Sequence, residues 1–145
     1  MRYVIAAASG LLLVITVLNW VHSETLYVGA EKCKLCHRSI YESWARTTHR
    51  QATERLTVGE RATGCIRCHA TGPKALPGVQ CEACHGPGAS YWPPEIMMDP
   101  AKAREAGLIS PTESTCRACH GSGLPNQSSR FLMPSESDRT RAFHK

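Results

Sequence analysis

The chain opens on a run that is apolar almost without interruption from Val4 to Leu18. Met1, Arg2 and Tyr3 give that run a short positive start, and Val21 and Ser23 stand at the positions that precede cleavage. This layout predicts a secretory signal over residues 1 to 23. The alternative is an uncleaved anchor, because Tyr3 to Val21 is just long enough to span a bilayer with Asn19 and Trp20 at the interface. No cysteine lies near the cleavage point, which argues against a lipid-anchored lipoprotein. Beyond Ser23 the apolar positions recur only locally. Cys33 to Thr47 reads as a helix, with Ile40, Tyr41 and Trp44 three, four and seven positions after His37 and therefore on its face. Leu56 to Gly64 reads as a polar connection, and Gly72 to Gly78, with Pro73 and Pro77, as a turn region. Asp99, Pro100 and Gly107 supply the cap, first turn and stop of a short helix. Ser110, Pro111 and Glu113 read as a capping box that opens a last helix. From Gly121 to Arg141 the chain is rich in Ser, Pro and Arg and reads as irregular, and strand signals are absent throughout.

These elements describe one domain, residues 24 to 145, that is mainly α with much irregular loop. Only two Phe and two Trp remain after residue 23, and a chain this short and polar cannot close a hydrophobic core unaided. Of the 17 Lys plus Arg in the full chain, 16 remain after residue 23 against 12 Asp plus Glu, a formal +4. The basic residues are scattered, so nothing points to nucleic acid. A modest positive excess instead suits docking to an acidic protein.

All eight cysteines fall into four Cys-x-x-Cys pairs: Cys33 and Cys36, Cys65 and Cys68, Cys81 and Cys84, Cys116 and Cys119. In an oxidising compartment eight thiols can pair as disulfides, and two Cys-x-x-Cys pairs can make a four-thiolate zinc site. Both readings leave unexplained that a histidine follows every pair: His37, His69, His85 and His120. With seven histidines in 145 residues, that coincidence has a probability below roughly one in 100,000. Covalent haem c uses every one of these atoms. The two thiols of each motif add to the vinyl groups of one porphyrin, and the histidine becomes the proximal ligand of its iron. Four such groups in 122 residues would themselves be the missing core.

Each iron then has a sixth ligand or an open face, which separates a carrier from a catalyst. Once His22 leaves with the signal, only His49 and His144 remain beside the four proximal histidines. Neutral imidazole is the commonest partner for such iron, which makes both distal candidates. Met97 and Met98 are further soft candidates, and Met133 is the other methionine of the mature chain. At least one haem is left without a second intramolecular imidazole.

Three stretches carry a resemblance: "YVGAEKCKLCHRSIYESWARTTH", "GVQCEACHGPGASYW" and "AREAGLISPTESTCRACH". They are similar to the tetrahaem c-type cytochromes of the cytochrome c-554 family, over about Tyr27 to His144. The resemblance implies a mainly helical fold with closely stacked haem pairs, four covalently attached haem c groups, and a role relaying electrons between a redox protein donor and acceptor. His49 matches the family's histidine closing a W-x-x-T-x-H segment, a distal ligand, and His144 matches a histidine near the end of the family domain. Some members carry a further histidine soon after the third motif's Gly-Pro-Gly. This chain instead reads "ASYWPPEIMMDP", so Tyr91 is a departure, while Met97 aligns with a recurring methionine. The expected function is an exported, periplasmic or secreted electron carrier. Two other classes stay open: a small reductase or oxidase with a five-coordinate haem, and a self-associating subunit of an extracellular cytochrome filament.

Overall fold

The computed structural model describes residues 26–73, 75–121 and Ser135. The signal expected at 1 to 23, the irregular Gly121 to Arg141 beyond Gly121 except for Ser135, and His144 with Met133 lie outside the described residues. The elements run in the order α1 (Ala30–Lys34), α2 (Arg38–Ala45), α3 (Val58–Arg61), α4 (Ile66–His69), β1 (Ala70–Thr71), β2 (Leu76–Pro77), α5 (Cys81–His85), a 3-10 turn (Gly88–Ser90), α6 (Pro94–Met97), α7 (Pro100–Glu105) and α8 (Glu113–His120). The result is mainly helical with much irregular connection, as the composition requires.

The helix expected from Cys33 to Thr47 is two helices. His37 leaves the helical region at φ −110°, ψ 47°, after its N–H has closed the first turn on the Cys33 carbonyl at 2.8 Å. The first motif thus occupies a tight corner between α1 and α2. Of the stripe that follows, Trp44 is buried, and its indole N–H donates to the Val79 carbonyl at 2.8 Å. The polar connection at Leu56 to Gly64 contains α3, which Thr57 and Glu60 close as a capping box. The box expected at Ser110 lies two residues later: α8 begins after Thr112, whose N–H donates to the Thr115 hydroxyl at 3.2 Å. Pro111 fixes the chain ahead of the helix and does not enter its first turn. Asp99 caps α7 as expected, accepting from the Ala101 and Lys102 N–H groups.

Against the expectation of no strand, Ala70 pairs with Pro77 and Thr71 with Leu76 in a two-residue antiparallel ladder. So short a ladder has no periodicity to read. It is held from outside by the Thr71 hydroxyl, 1% exposed, which donates to the Gly78 carbonyl at 2.9 Å and accepts from Gln80 N–H at 2.8 Å.

Among the described residues, the buried apolar side chains are Trp44, Leu56, Tyr91 and four alanines, Ala30, Ala52, Ala70 and Ala103. Fully burying a large apolar side chain is worth only about 1.5–3 kcal/mol. Three large residues and four methyl groups do not hold a domain together, so the protein interior is incomplete as polypeptide.

Candidate functional site

Each Cys-x-x-Cys-His unit sits on, or at the end of, one short helical turn, which puts its two sulfurs on one side and its imidazole just beyond them. Cys33 lies on α1, Cys65 caps α4, Cys81 opens α5 and Cys116 lies on α8. All eight cysteines are thiols and not disulfides in this structure. Their surroundings link the motifs pairwise. A hydrogen bond with Cys81 first, and burial second, push the Cys33 thiol up. Burial also raises Cys84, with Cys116 the next contributor. Cys119 is pushed up to about 12 by burial and by a hydrogen bond with Cys68. The first motif therefore meets the third and the fourth meets the second, while the third and fourth lie within electrostatic reach of each other. Among the described residues no three His, Cys, Asp or Glu side chains surround one point as a metal-ion site would need.

The imidazoles are presented by the backbone. His69 Nδ1 lies 2.9 Å from the Ala52 carbonyl, and His85 Nδ1 lies 3.0 Å from the Ile109 carbonyl. A carbonyl only accepts, so Nδ1 carries the proton and Nε2 keeps its lone pair, as a metal-ligating histidine requires. The Ile109 N–H returns a bond to the His85 carbonyl at 2.9 Å, fixing ring and backbone together. The residues fit covalent haem on these grounds: sulfurs paired three residues apart and not joined as disulfides, histidines directly after them, two of which have Nδ1 engaged by a carbonyl, and, among the described residues, an interior short of apolar bulk.

His49 stands in a turn after α2, and its ring faces that of His120 with centroids 6.1 Å apart and planes at 45°. Burial first, and the charge of His120 second, hold His49 below the ordinary histidine range, and burial does the same to His120. Both rings are thus kept neutral, the form that binds a metal. With bonds on the order of 2 Å from imidazole to metal, two rings facing each other across one ion have centroids about 6 Å apart. The His49 carbonyl accepts from Val79 N–H at 2.8 Å, which anchors this turn to the segment leading into the third motif.

The methionines divide. Met97, at the end of α6, is half-buried, whereas Met98 is 84% exposed. Tyr91 is 4% exposed, and its hydroxyl donates to the Gly86 carbonyl at 2.7 Å, with the His85 carbonyl 3.3 Å away. Burial, then the charge of Glu82, pushes the phenol well above its ordinary range. Tyr91 thus fastens the turn behind His85. Tyr91→Phe should cost about 1–2 kcal/mol, because it strips the partner from a buried carbonyl. Chemical denaturation of the haem-loaded variant, with its haem content unchanged, checks this.

Sequence reasoning missed Gln80 and Glu82, which flank Cys81. Glu82 is 3% exposed and accepts three backbone N–H groups: Val28 at 2.9 Å, Gly29 at 2.8 Å and Gly88 at 2.7 Å. Gln80 Oε1 accepts from Ala30 N–H at 2.7 Å. The available signal was a carboxylate placed between the two cysteines of one motif, Cys81 and Cys84, where a helix face turns inward.

Residues 32–86 match the family described as cytochrome c554 and c-prime. The chain is 30% identical to cytochrome c-554 of Nitrosomonas europaea in an alignment covering 45% of this chain and 40% of that protein. It thus spans less than half the length of that relative. The solved reduced state of cytochrome c554 from Nitrosomonas europaea shares the fold, with a TM-score of 0.52 at 20% identity over 82% of this chain and 78% of that one.

Proposed function

We propose that the chain is an exported tetrahaem c-type cytochrome of the cytochrome c554 family that relays single electrons between redox proteins, a reading supported by the family match over residues 32–86 and by the shared fold. The observation that carries the reading is how the histidines are presented. His69 and His85 have Nδ1 engaged by backbone carbonyls, and the ring of His120 lies beside a half-buried second imidazole, His49. In this reading Cys33 and Cys36, Cys65 and Cys68, Cys81 and Cys84, and Cys116 and Cys119 each hold one haem, with His37, His69, His85 and His120 as proximal ligands. Haem bound there supplies a one-electron iron couple whose potential its axial ligands tune.

The polypeptide's part is to present sulfurs and imidazoles, to keep the interior poor in water, and to set the order of the motifs. Thiol hydrogen bonds between the first and third and between the fourth and second motifs, with the third in electrostatic reach of the fourth, support the order first, third, fourth, second. His49 is the distal ligand opposite His120. His144 and Met97 are proposed for two of the other irons, with Met98, exposed as it is, the weaker of the methionine pair. The scattered excess of Lys and Arg suits acidic donor and acceptor proteins. Among the described residues no helix is long and apolar enough to cross a membrane, and the proposed export signal is residues 1 to 23.

Intact-mass spectrometry of protein made with a haem-attachment system tests both parts at once. The expected mass is that of the chain from Glu24 plus four haems. Fewer attached haems, or zinc in their place, overturns the tetrahaem reading, and a chain still beginning at Met1 overturns the cleaved signal.

A further inference from the structure

Resting on that tetrahaem reading, we propose that Glu82 is a positioning and potential-setting residue: its buried carboxylate docks the first haem motif on the third and lowers the potential of both of their irons. The contacts come from both sides of the junction. Glu82 lies inside the third motif, next to Cys81. Its two oxygens accept from Val28 and Gly29 just ahead of α1, the helix that carries Cys33. Gln80, on the other side of Cys81, accepts from the first N–H of the same helix. Residues flanking one haem-binding cysteine therefore cap the helix that bears another, across about 50 residues of sequence.

The carboxylate uses both oxygens as acceptors and donates to nothing in these bonds, the pattern of the ionised group. At 3% exposure its charge is little screened by water or salt. The third donor, Gly88, closes the Gly-Pro-Gly turn onto it. A Cβ at Gly88 would lie 2.9 Å from Glu82 Oε1, so the residue there is one that lets the backbone come this close. Among the described residues the ion pairs in the structure involve other carboxylates, and the Glu82 charge is answered by backbone dipoles. Its field reaches both neighbouring sulfurs, since Glu82 contributes to raising Cys33 and opposes the lowering of Cys81. A fixed negative charge beside a porphyrin stabilises the oxidised, more positive iron and disfavours uptake of an electron from the donor.

The test is a potentiometric titration of the full-length holoprotein, with the four haems first counted by mass. Glu82→Gln keeps the size of the side chain and removes the charge. Two of the four one-electron steps should rise, with the oxidised-to-reduced ratio at a fixed potential falling about tenfold for each, or about 59 mV, while the other two steps hold. Four unmoved steps, or a uniform shift of all four, overturns the proposal. Gln80→Glu supplies the opposite change at the adjacent cap, where a carboxylate is favoured at a helix start. It should lower the same two steps by about threefold, given its half-exposed site. If Glu82→Gln does not fold, Gln80→Glu decides alone: a paired downward shift supports the proposal and unchanged potentials overturn it. A wild-type protein that carries fewer than four haems defeats the tetrahaem reading itself, which is a different failure.

Discussion

On the tetrahaem reading proposed above, replacing His49 with alanine should convert one low-spin haem into a high-spin one without the loss of any attached haem. Attachment depends on the cysteines, none of which the substitution touches. The structural work of residue 49 is done by its carbonyl, which accepts from Val79 N–H at 2.8 Å, and alanine keeps that carbonyl. Only the imidazole is lost, and with it a strong-field donor facing His120. The altered iron gains an open face, so the reduced variant should bind one more equivalent of carbon monoxide than the parent. Optical and electron paramagnetic resonance spectra taken beside that titration check the result. A spectrum identical to the parent would mean that His49 serves as a buried anchor for its turn and that the His120 iron takes its sixth ligand from elsewhere.

What the sequence reveals here is what a few adjacent residues determine. Cys-x-x-Cys-His is a local geometry, and four repeats without a stray cysteine are legible because nothing distant is needed to read them. His49 is singled out only by subtraction, as one of the three histidines, with His22 and His144, that remain once four are assigned. Asp99 and Pro100 announce a helix start, and the structure places one there. Thr57 and Glu60 announce another, but inside a segment that reads as polar connection, where the capping signal is outweighed by composition. The junction of the motifs is not legible. Cys33 meets Cys81 thiol to thiol, and Glu82 accepts from the backbone N–H of Gly29, a donor that any residue at position 29 would carry and that therefore leaves no side-chain pattern to read. The break at His37 is hidden too, since the apolar spacing on either side of it remains helical and only the turn closed on Cys33 interrupts it. Tyr91 stands where a ligand is expected in some relatives, and its hydroxyl is spent on a carbonyl.

The largest loss of stability from a single methyl group is expected at Gly78. Its φ is +81°, a region that side chains other than glycine's rarely adopt, and an added Cβ would lie 2.5 Å from the Arg50 carbonyl oxygen and 3.0 Å from that of His49. Those are backbone atoms and cannot swing aside as a side chain would. The crossing they form is where the Leu76–Pro77 strand runs over the turn that follows α2. Gly78 N–H donates to the Thr53 hydroxyl at 2.7 Å, the Gly78 carbonyl accepts from Thr71 at 2.9 Å, and Val79 bonds the His49 carbonyl next door. Alanine at 78 forces this lattice apart, combining about 1–3 kcal/mol of backbone strain with about 1 kcal/mol for each hydrogen bond it breaks. The expected total is about 2–4 kcal/mol in denaturant unfolding of the holoprotein. Gly59, in α3, is the control, because no atom lies within 4 Å of a Cβ built there and alanine at a helical position should be neutral or stabilising by up to about 1 kcal/mol. The crossing also sets the height of His49, so Gly78→Ala should add a partial high-spin signal that Gly59→Ala lacks. If Gly78→Ala unfolds like the parent and keeps the parent spectrum, the two segments do not cross as tightly as the backbone places them, and the position of His49 opposite His120 would need another support.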